Sequence, residues 1–114
     1  MTVKRMIPYG RQSIGADDIR AVVSALRAPL ITQGPRIREF EAALCAYTGA
    51  RYAVAVSSGT AALHCACLAS GIGPGDEVIT SPMTFAASAN CVLYCGGKPV
   101  FADIDPVTAN ISPE

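Results

Sequence analysis

The chain has 114 residues, in which nine Lys and Arg residues balance nine Asp and Glu residues, and 51% of its residues are hydrophobic. This length fits one domain at most, and the lack of a basic or acidic run excludes the charge signature of a nucleic-acid binder or an acidic tail. Neither a secretory signal nor an apolar stretch of the roughly 18 residues that a membrane span requires is present, so we expect a cytoplasmic protein.

The first part of the chain predicts two helices and a connector. The first helix runs from about Asp17 to Leu26, because its apolar residues recur at helical spacing. Pro29 breaks this helix, and residues 30–34 form an extended connector. Pro35 suits the first position of a second helix, and Gly49 ends it.

The rest of the chain alternates predicted strands and helices. The strands are Tyr52–Val56, Glu77–Thr80 and Lys98–Ile104, and the helices cover about 60–70 and Phe85–Tyr94. This order favours an α/β fold with a parallel sheet. Strands that are nearly continuously apolar are typical of sheets covered on both faces.

Three segments follow the predicted strands, and ligands of such sheets bind outside the carboxyl ends of the strands. The segments are Ser57–Ala61, Ser81–Phe85 and Asp103–Asp105. In the first of them, free N–H groups and the positive end of a helix dipole suit a phosphate. No lysine follows Gly59 as in a P-loop, and no Gly-x-Gly-x-x-Gly is present there. An unused helix N-terminus is the alternative interpretation.

The chain contains five cysteines, which lie among Ala, Leu and Val residues. We interpret them as small apolar residues in helices. A metal site is the alternative, but no Cys-x-x-Cys pair occurs and His64 is the only histidine, so we expect no metal. They are Cys45, Cys65, Cys67, Cys91 and Cys95.

The last residues predict the start of another helix. Ser112, Pro113 and Glu114 have the types of an N-cap, a first helical residue and an acidic first turn. We therefore expect the chain to be a fragment of a larger domain. The alternative is a complete small domain with a disordered tail.

Five motifs, taken in order, resemble the N-terminal part of the sugar aminotransferases of the DegT/DnrJ/EryC1/StrS family, which are pyridoxal-phosphate enzymes of fold type I. The resemblance covers residues 7–114. It implies the N-terminal part of a three-layer α/β/α large domain with a mostly parallel sheet. It also implies an N-terminal arm, helix and connector over residues 1–34, and the start of the cofactor-binding domain over residues 35–114. The motifs are Leu30–Pro35, Ser57–Leu63, Gly75–Ile79, Ser81–Asn90 and Pro99–Pro106.

The resemblance also implies a cofactor site for pyridoxal 5′-phosphate. The backbone amides of Gly59, Thr60 and Ala61 would hold the phosphate, together with the Thr60 hydroxyl. Phe85 would stack on the pyridine ring, whereas without the resemblance it is interpreted as a core aromatic residue.

The family further implies a substrate pocket near a homodimer interface. Tyr9, Thr32 and Gln33 would line this pocket for a UDP-linked 4-keto-6-deoxysugar, and glutamate is the expected amino donor. Asp103 and Asp105 are interpreted as structural residues at a strand end rather than as an acid–base pair.

Transamination requires a lysine that forms a Schiff base with the cofactor. Lys4 and Lys98 are the lysines of this sequence, and neither matches the family's catalytic position. We therefore expect no catalytic residue in this chain and no activity from it alone. Two alternatives remain open: a sugar dehydratase that uses pyridoxamine phosphate and has a histidine in place of the lysine, and a non-enzymatic α/β binding module.

Overall fold

The computed structural model describes residues 8 and 10–113. The chain divides into two compact units, and the boundary lies between Ala55 and Val56. This division concerns internal packing. The boundary expected between residues 34 and 35, which separates an arm from a cofactor-binding domain, stays a prediction.

The first unit contains helix α1, which spans Ala16–Leu26. The Asp18 carboxylate accepts a hydrogen bond of 2.7 Å from the backbone N–H of Gly15, the N-cap residue. An acidic side chain in the first turn also interacts favourably with the helix dipole. The predicted helix is confirmed and begins one residue earlier than expected.

Helix α2 of the same unit spans Pro35–Thr48. Proline occupies its first turn after an extended Gly34, and Gly49 ends it with a φ of 75° while its N–H bonds the Cys45 carbonyl at 2.9 Å. Both ends of the helix confirm the sequence prediction. Glycine suits the last position because a left-handed C-cap favours a residue without a Cβ atom. Within residues 8 and 10–113, no helix is both long and apolar enough to cross a membrane.

The predicted strand Tyr52–Val56 is wrong. The segment is not helical, and it forms no strand within the described part of the chain. Its one hydrogen bond of note joins the Ala55 N–H to a Glu41 carboxylate oxygen at 2.9 Å. A strand requires a ladder of backbone hydrogen bonds to a neighbour, and this segment has none among the described residues.

The second unit contains two helices and a two-stranded parallel sheet. Glu77 lies opposite Lys98, and the register continues to Thr80 opposite Phe101, which confirms the predicted parallel pairing. Helix α4 connects the two strands, as parallel neighbours require. The elements in order are α3 (Gly59–Ala69), β1 (Glu77–Thr80), α4 (Ala87–Tyr94) and β2 (Lys98–Phe101).

The core of the second unit lies on α4, which packs against α3 and both strands. Ala87, Cys91 and Val92 are its buried apolar residues, and Val92 is fully buried. Gly97 is also buried, and a Cβ atom there would lie 3.0 Å from side-chain carbons of Ile72 and Val92. The close approach of the chain to α4 therefore favours glycine at position 97.

Strand β2 ends at Phe101, so its predicted extension to Ile104 is wrong. The Ala102 N–H still bonds the Thr80 carbonyl at 3.0 Å, but β1 ends at Thr80 and offers no further partner. The chain then turns, and Ile104 forms an isolated antiparallel bridge with Ile111.

The Asp105 carboxylate organises this turn. It accepts hydrogen bonds from the Thr108 N–H at 2.7 Å, the Val107 N–H at 2.9 Å and the Thr108 hydroxyl at 3.0 Å. The bonds from Thr108, followed by the bond from Val107, lower the pKa of Asp105. These contacts agree with the interpretation of Asp105 as a structural residue.

We expect Asp105→Asn to remove a pH dependence from stability. Because the pKa of Asp105 is lower in the folded chain, its carboxylate stabilises the fold at pH values above its pKa in the unfolded chain, about 3.9. This contribution is lost as the pH falls through its pKa in the folded chain. Urea denaturation at a series of pH values measures it. The gap between the free energies of unfolding of wild type and variant should shrink below about pH 4. A gap that stays constant across the series would contradict this role.

Candidate functional site

The amino end of α3 presents two free backbone amides. Ser58 is the N-cap, and its hydroxyl oxygen accepts a hydrogen bond of 3.1 Å from the Ala61 N–H. The Ser58 carbonyl accepts from the Ala62 N–H at 3.0 Å. The amides of Gly59 and Thr60 have no hydrogen-bond partner among residues 8 and 10–113. These two donors and the helix dipole together favour an anion.

The space beside Gly59 is open. A Cβ atom built at this position would have no heavy atom within 4 Å outside its chain neighbours and its own helix. A ligand can therefore approach the first turn of α3 closely.

Phe85 lies in the turn between β1 and α4. It was predicted as the first residue of the helix, but α4 begins at Ala87, so that boundary is wrong. The Ser81 hydroxyl accepts from the Met83 N–H at 3.2 Å, and the Thr84 and Ser88 hydroxyls are 3.2 Å apart. Local side-chain hydrogen bonds of this kind compete with helix formation.

The Phe85 side chain is 75% exposed, which contradicts its interpretation as a core aromatic residue in this chain. It lines a cavity of about 660 Å³ together with the first turns of α3. This volume is within the usual range of small-molecule sites. The lining residues are Gly59, Thr60, Ala62, Leu63, Ala66, Phe85 and Ala87.

The cavity is lined by apolar side chains and one threonine, with no ionisable side chain among its lining residues. The charge of an anion bound there would be met by the backbone amides and the dipole of α3. The sequence prediction identified Gly59, Thr60 and Phe85 but missed Ala62, Leu63, Ala66 and Ala87. The first three of the missed residues are spaced to lie on one face of α3, and this periodicity could have revealed them.

The amide of Ala61 differs from its two neighbours. It was predicted as a third phosphate donor, and in the structure it already donates to the Ser58 hydroxyl. The assignment of all three amides to a phosphate therefore stays a prediction, which now requires the Ala61 amide to exchange one acceptor for another.

Lys98 is placed at the wrong end of the sheet to serve this cavity. It is the first residue of β2, whereas the turn that carries Phe85 follows the last residue of β1, and the two strands are parallel. Its ammonium group pairs with Glu77 at 2.7 Å, and this hydrogen bond and charge raise the pKa of Lys98. A Schiff base requires a neutral amine, so Lys98 is unsuited to that role. Lys4 lies outside the described residues.

The predicted substrate residues are divided between described and undescribed parts of the chain. Tyr9 lies outside the described residues. Thr32 and Gln33 are exposed residues of the turn between α1 and α2, in the first unit, and Gln33 has a φ of 54°. Their role in a sugar-nucleotide pocket stays a prediction.

The chain is similar to a polysaccharide biosynthesis protein and to two proteins of known structure. It is 50% identical over 107 residues to the spore coat polysaccharide biosynthesis protein SpsC of Bacillus subtilis, covering 94% of this chain and 28% of SpsC. The putative sugar aminotransferase Spr1654 from Streptococcus pneumoniae, in its PLP form, superposes with a TM-score of 0.83 at 38% identity, covering 93% and 27% of the two chains. NtdA from Bacillus subtilis with bound PMP superposes with a TM-score of 0.72 at 36% identity, covering 88% and 26%.

The parallel α/β arrangement, together with these structural neighbours, shows the fold of the fold type I pyridoxal-phosphate aminotransferases. The expected fold class is thereby confirmed. Residues 12–114 match the DegT/DnrJ/EryC1/StrS aminotransferase family, and the chain belongs to that family. The PLP and PMP forms of the solved relatives confirm pyridoxal 5′-phosphate as the cofactor expected for the family. The chain spans between a quarter and a third of the length of these relatives.

Proposed function

We propose that this chain supplies the phosphate-binding and ring-stacking part of a PLP-dependent sugar-nucleotide aminotransferase. The observation that carries the proposal is the cavity to which α3 contributes Gly59 and Thr60 and the β1–α4 turn contributes Phe85. In the proposed reaction, an amino group moves from glutamate to the C4 ketone of a UDP-linked 4-keto-6-deoxysugar.

Each residue of the candidate cofactor site has a defined role in the proposal. The free amides of Gly59 and Thr60, with the Thr60 hydroxyl, bind the phosphate, and Ala61 is a third donor if its amide leaves Ser58. Phe85 stacks on the ring and keeps it oriented. When bound, pyridoxal phosphate supplies an electron sink for the amino-acid carbanion. The apolar wall of α3 excludes water from one side of the cofactor.

The finer identity rests on sequence resemblance. The residues 81–94 and the region around Tyr9 resemble the UDP-4-amino-4,6-dideoxy-N-acetyl-β-L-altrosamine transaminase of pseudaminic acid biosynthesis. We propose that Tyr9, Thr32 and Gln33 contact the nucleotide sugar. We also propose a homodimer in the cytoplasm, with residues 1–34 as its N-terminal arm, helix and connector and residues 35–114 as the start of the cofactor domain.

A polypeptide of these 114 residues alone is proposed to be inactive. Its lysines are Lys4 and Lys98, and Lys98 is held by Glu77 at the edge of the sheet opposite the Phe85 turn. We expect no Schiff-base absorbance when this polypeptide is mixed with pyridoxal phosphate. Such absorbance, mapped to a lysine by borohydride reduction, would contradict the proposal.

The proposed reaction is tested with the protein at its full coding length. The protein is incubated with pyridoxal phosphate, glutamate and a UDP-linked 4-keto-6-deoxysugar, and the products are identified by mass spectrometry. A 4-amino sugar and 2-oxoglutarate are expected. A product that has lost water and gained no nitrogen would identify a dehydratase instead, and no reaction with any keto-sugar nucleotide would exclude sugar transamination.

We expect Phe85→Ala to weaken cofactor binding about twofold to twelvefold, since aromatic pairs contribute roughly 0.5–1.5 kcal/mol. Phe85 is exposed in its turn, so its removal should leave the fold intact. Fluorescence titration of the full-length apoprotein with pyridoxal phosphate measures the change. Phe85→Tyr keeps the ring and should bind as the wild type does. Equal weakening in both variants would contradict stacking as the role of this ring.

A further inference from the structure

The connector between α1 and α2, residues 30–34, has a conformation that its sequence disfavours. Gln33 has a φ of 54°, in the left-handed region that favours glycine. At Gly34 the chain comes so close to itself that a Cβ atom would overlap the Leu30 carbonyl oxygen. A residue in such a conformation persists only where the surrounding structure fixes it. We therefore looked for the contacts that hold this connector in place.

The Arg36 side chain joins the two helices on either side of the connector. Arg36 is the second residue of α2, and its Nη2 donates a hydrogen bond of 3.1 Å to the hydroxyl oxygen of Ser24 on α1. Its Nη1 donates to the Glu39 carboxylate, one turn along α2, at 2.7 Å. The rigid, planar guanidinium group can bond both partners at once. Among residues 8 and 10–113, no other side-chain hydrogen bond joins α1 to α2.

Apolar packing around the connector is incomplete. A cavity of about 180 Å³ lies against Leu30, Ile31 and Gly34 of the connector, apolar residues of both helices, and Arg36. The cavity is smaller than typical small-molecule sites. Atoms that line an empty space lack part of their packing contacts. The polar link through Arg36 therefore carries more of the constraint on the connector than it would in a filled core.

We propose that Arg36 is a positioning residue that fixes the connector, and that the fixed connector presents Thr32 and Gln33 to the nucleotide sugar. The presentation of these two residues rests on the proposed function. The side chains of Arg36 and Glu39 are each 55% exposed, and exposed pairs contribute little to overall stability. The consequence of the link is therefore the geometry of the connector, and Arg36 itself need not touch the substrate.

This role predicts an effect on one of the two substrates. Transamination proceeds in two half-reactions, one with the amino donor and one with the keto-sugar, and the kcat/KM for each substrate reports its own half-reaction. Small displacements of positioning groups reduce the rate with the substrate that they orient. Loosening the connector should therefore lower kcat/KM for the sugar nucleotide and leave kcat/KM for glutamate unchanged.

The first measurement follows the connector without any substrate. The native full-length protein is treated with trypsin, and cleavage after Arg27, the C-cap residue of α1, is followed by mass spectrometry. Cleavage there requires the end of α1 and the connector to open. We expect Ser24→Ala to speed this cleavage about twofold to twelvefold, the range that corresponds to loss of one ordinary hydrogen bond. Ser24→Thr keeps the hydroxyl group and should be cleaved as slowly as the wild type.

Arg20→Gln is the matched control. Arg20 lies on the same helix as Ser24, and its guanidinium group pairs with Asp17 of that helix rather than with α2. This variant removes an exposed arginine pair without removing a link between the helices. It should leave both the cleavage after Arg27 and the two kcat/KM values at wild-type levels.

The second measurement is steady-state kinetics of the full-length protein with glutamate and a UDP-linked 4-keto-6-deoxysugar. Ser24→Ala and Arg36→Gln should each lower kcat/KM for the sugar about twofold to twelvefold. The double variant should be no worse than Arg36→Gln alone, because both substitutions remove the same bond. Ser24→Thr should restore the wild-type value.

Three results would overturn the proposal: cleavage of Ser24→Ala at the wild-type rate, an equal fall in kcat/KM for both substrates, or faster cleavage with an unchanged kcat/KM for the sugar. If the wild-type protein transaminates no keto-sugar nucleotide, the proposed function fails, and with it the role of the connector in presenting the substrate. The cleavage rates decide separately whether Arg36 fixes the connector.

Discussion

Replacing Gly59 with proline in the full-length protein is expected to weaken the binding of pyridoxal phosphate about tenfold to a hundredfold. The substitution removes the N–H of the first residue of α3, one of the two amides with no partner in the described part of the chain. A hydrogen bond to a charged group contributes about 1.5–3 kcal/mol. The corresponding change in dissociation constant is about one to two orders of magnitude.

The position should accept proline without loss of the helix. Proline is favoured at the first helical residue, where its missing N–H has no intrahelical partner. Ser58 has φ −163° and ψ 164°, an extended conformation that a residue before proline adopts readily. A Cβ atom at position 59 meets open space. We therefore expect an unchanged midpoint of thermal unfolding for the apoprotein, measured by circular dichroism.

Gly59→Ala is the matched control, because it adds a Cβ atom and keeps the amide. Its affinity for pyridoxal phosphate should lie close to that of the wild type in a spectrophotometric titration. If the alanine variant binds as weakly as the proline variant, the loss comes from bulk in the cavity. If the proline variant binds as tightly as the wild type, this amide does not bind the phosphate.

The ends of α2 and the start of α3 could be predicted because their determinants are local. Pro35 and Gly49 mark the ends of α2 by their own backbone preferences. Ser58 caps α3 through a hydrogen bond three residues along the chain. Such signals are contained in a short window of sequence.

The strand ends depended on partners that a short window does not contain. Apolar residues at 52–56 predicted a strand, but no described residue forms a ladder with them. Strand β2 ends where β1 does, although its apolar sequence continues to Ile104. Which residues of an apolar run become a strand is decided by the neighbour across the sheet.

The candidate site was predictable in its parts and less so in its details. The strand-to-helix turn indicated Gly59 and Thr60 as site residues. The sequence did not indicate that the Ala61 N–H already donates a hydrogen bond to the Ser58 hydroxyl. Phe85 was identified as a candidate site residue, and it lines the cavity, but it was wrongly assigned to a helix. The hydroxyl groups of Ser81 and Thr84 hold a turn there instead.

Val92→Asp is expected to unfold the second unit, with a loss of more than about 4 kcal/mol in the free energy of unfolding. Val92 is fully buried, with none of its surface accessible to solvent. It lies on α4, the helix that contacts α3, β1 and β2. A carboxylate at this position would be buried without a partner. Among the described residues, the buried apolar side chains are those of Ala87, Cys91 and Val92, all on α4, so disrupting this helix disrupts the core of the unit.

The next residue along the helix provides the matched control. Leu93 is 54% exposed, so Leu93→Asp adds the same charge to the same helix in contact with water. Urea denaturation followed by far-ultraviolet circular dichroism should give near wild-type stability for Leu93→Asp and little folded signal for Val92→Asp. Equal losses in the two variants would mean that the charge on α4, rather than its burial, destabilises the protein. A stable Val92→Asp variant would mean that the packing of α4 against the sheet does not hold the unit together.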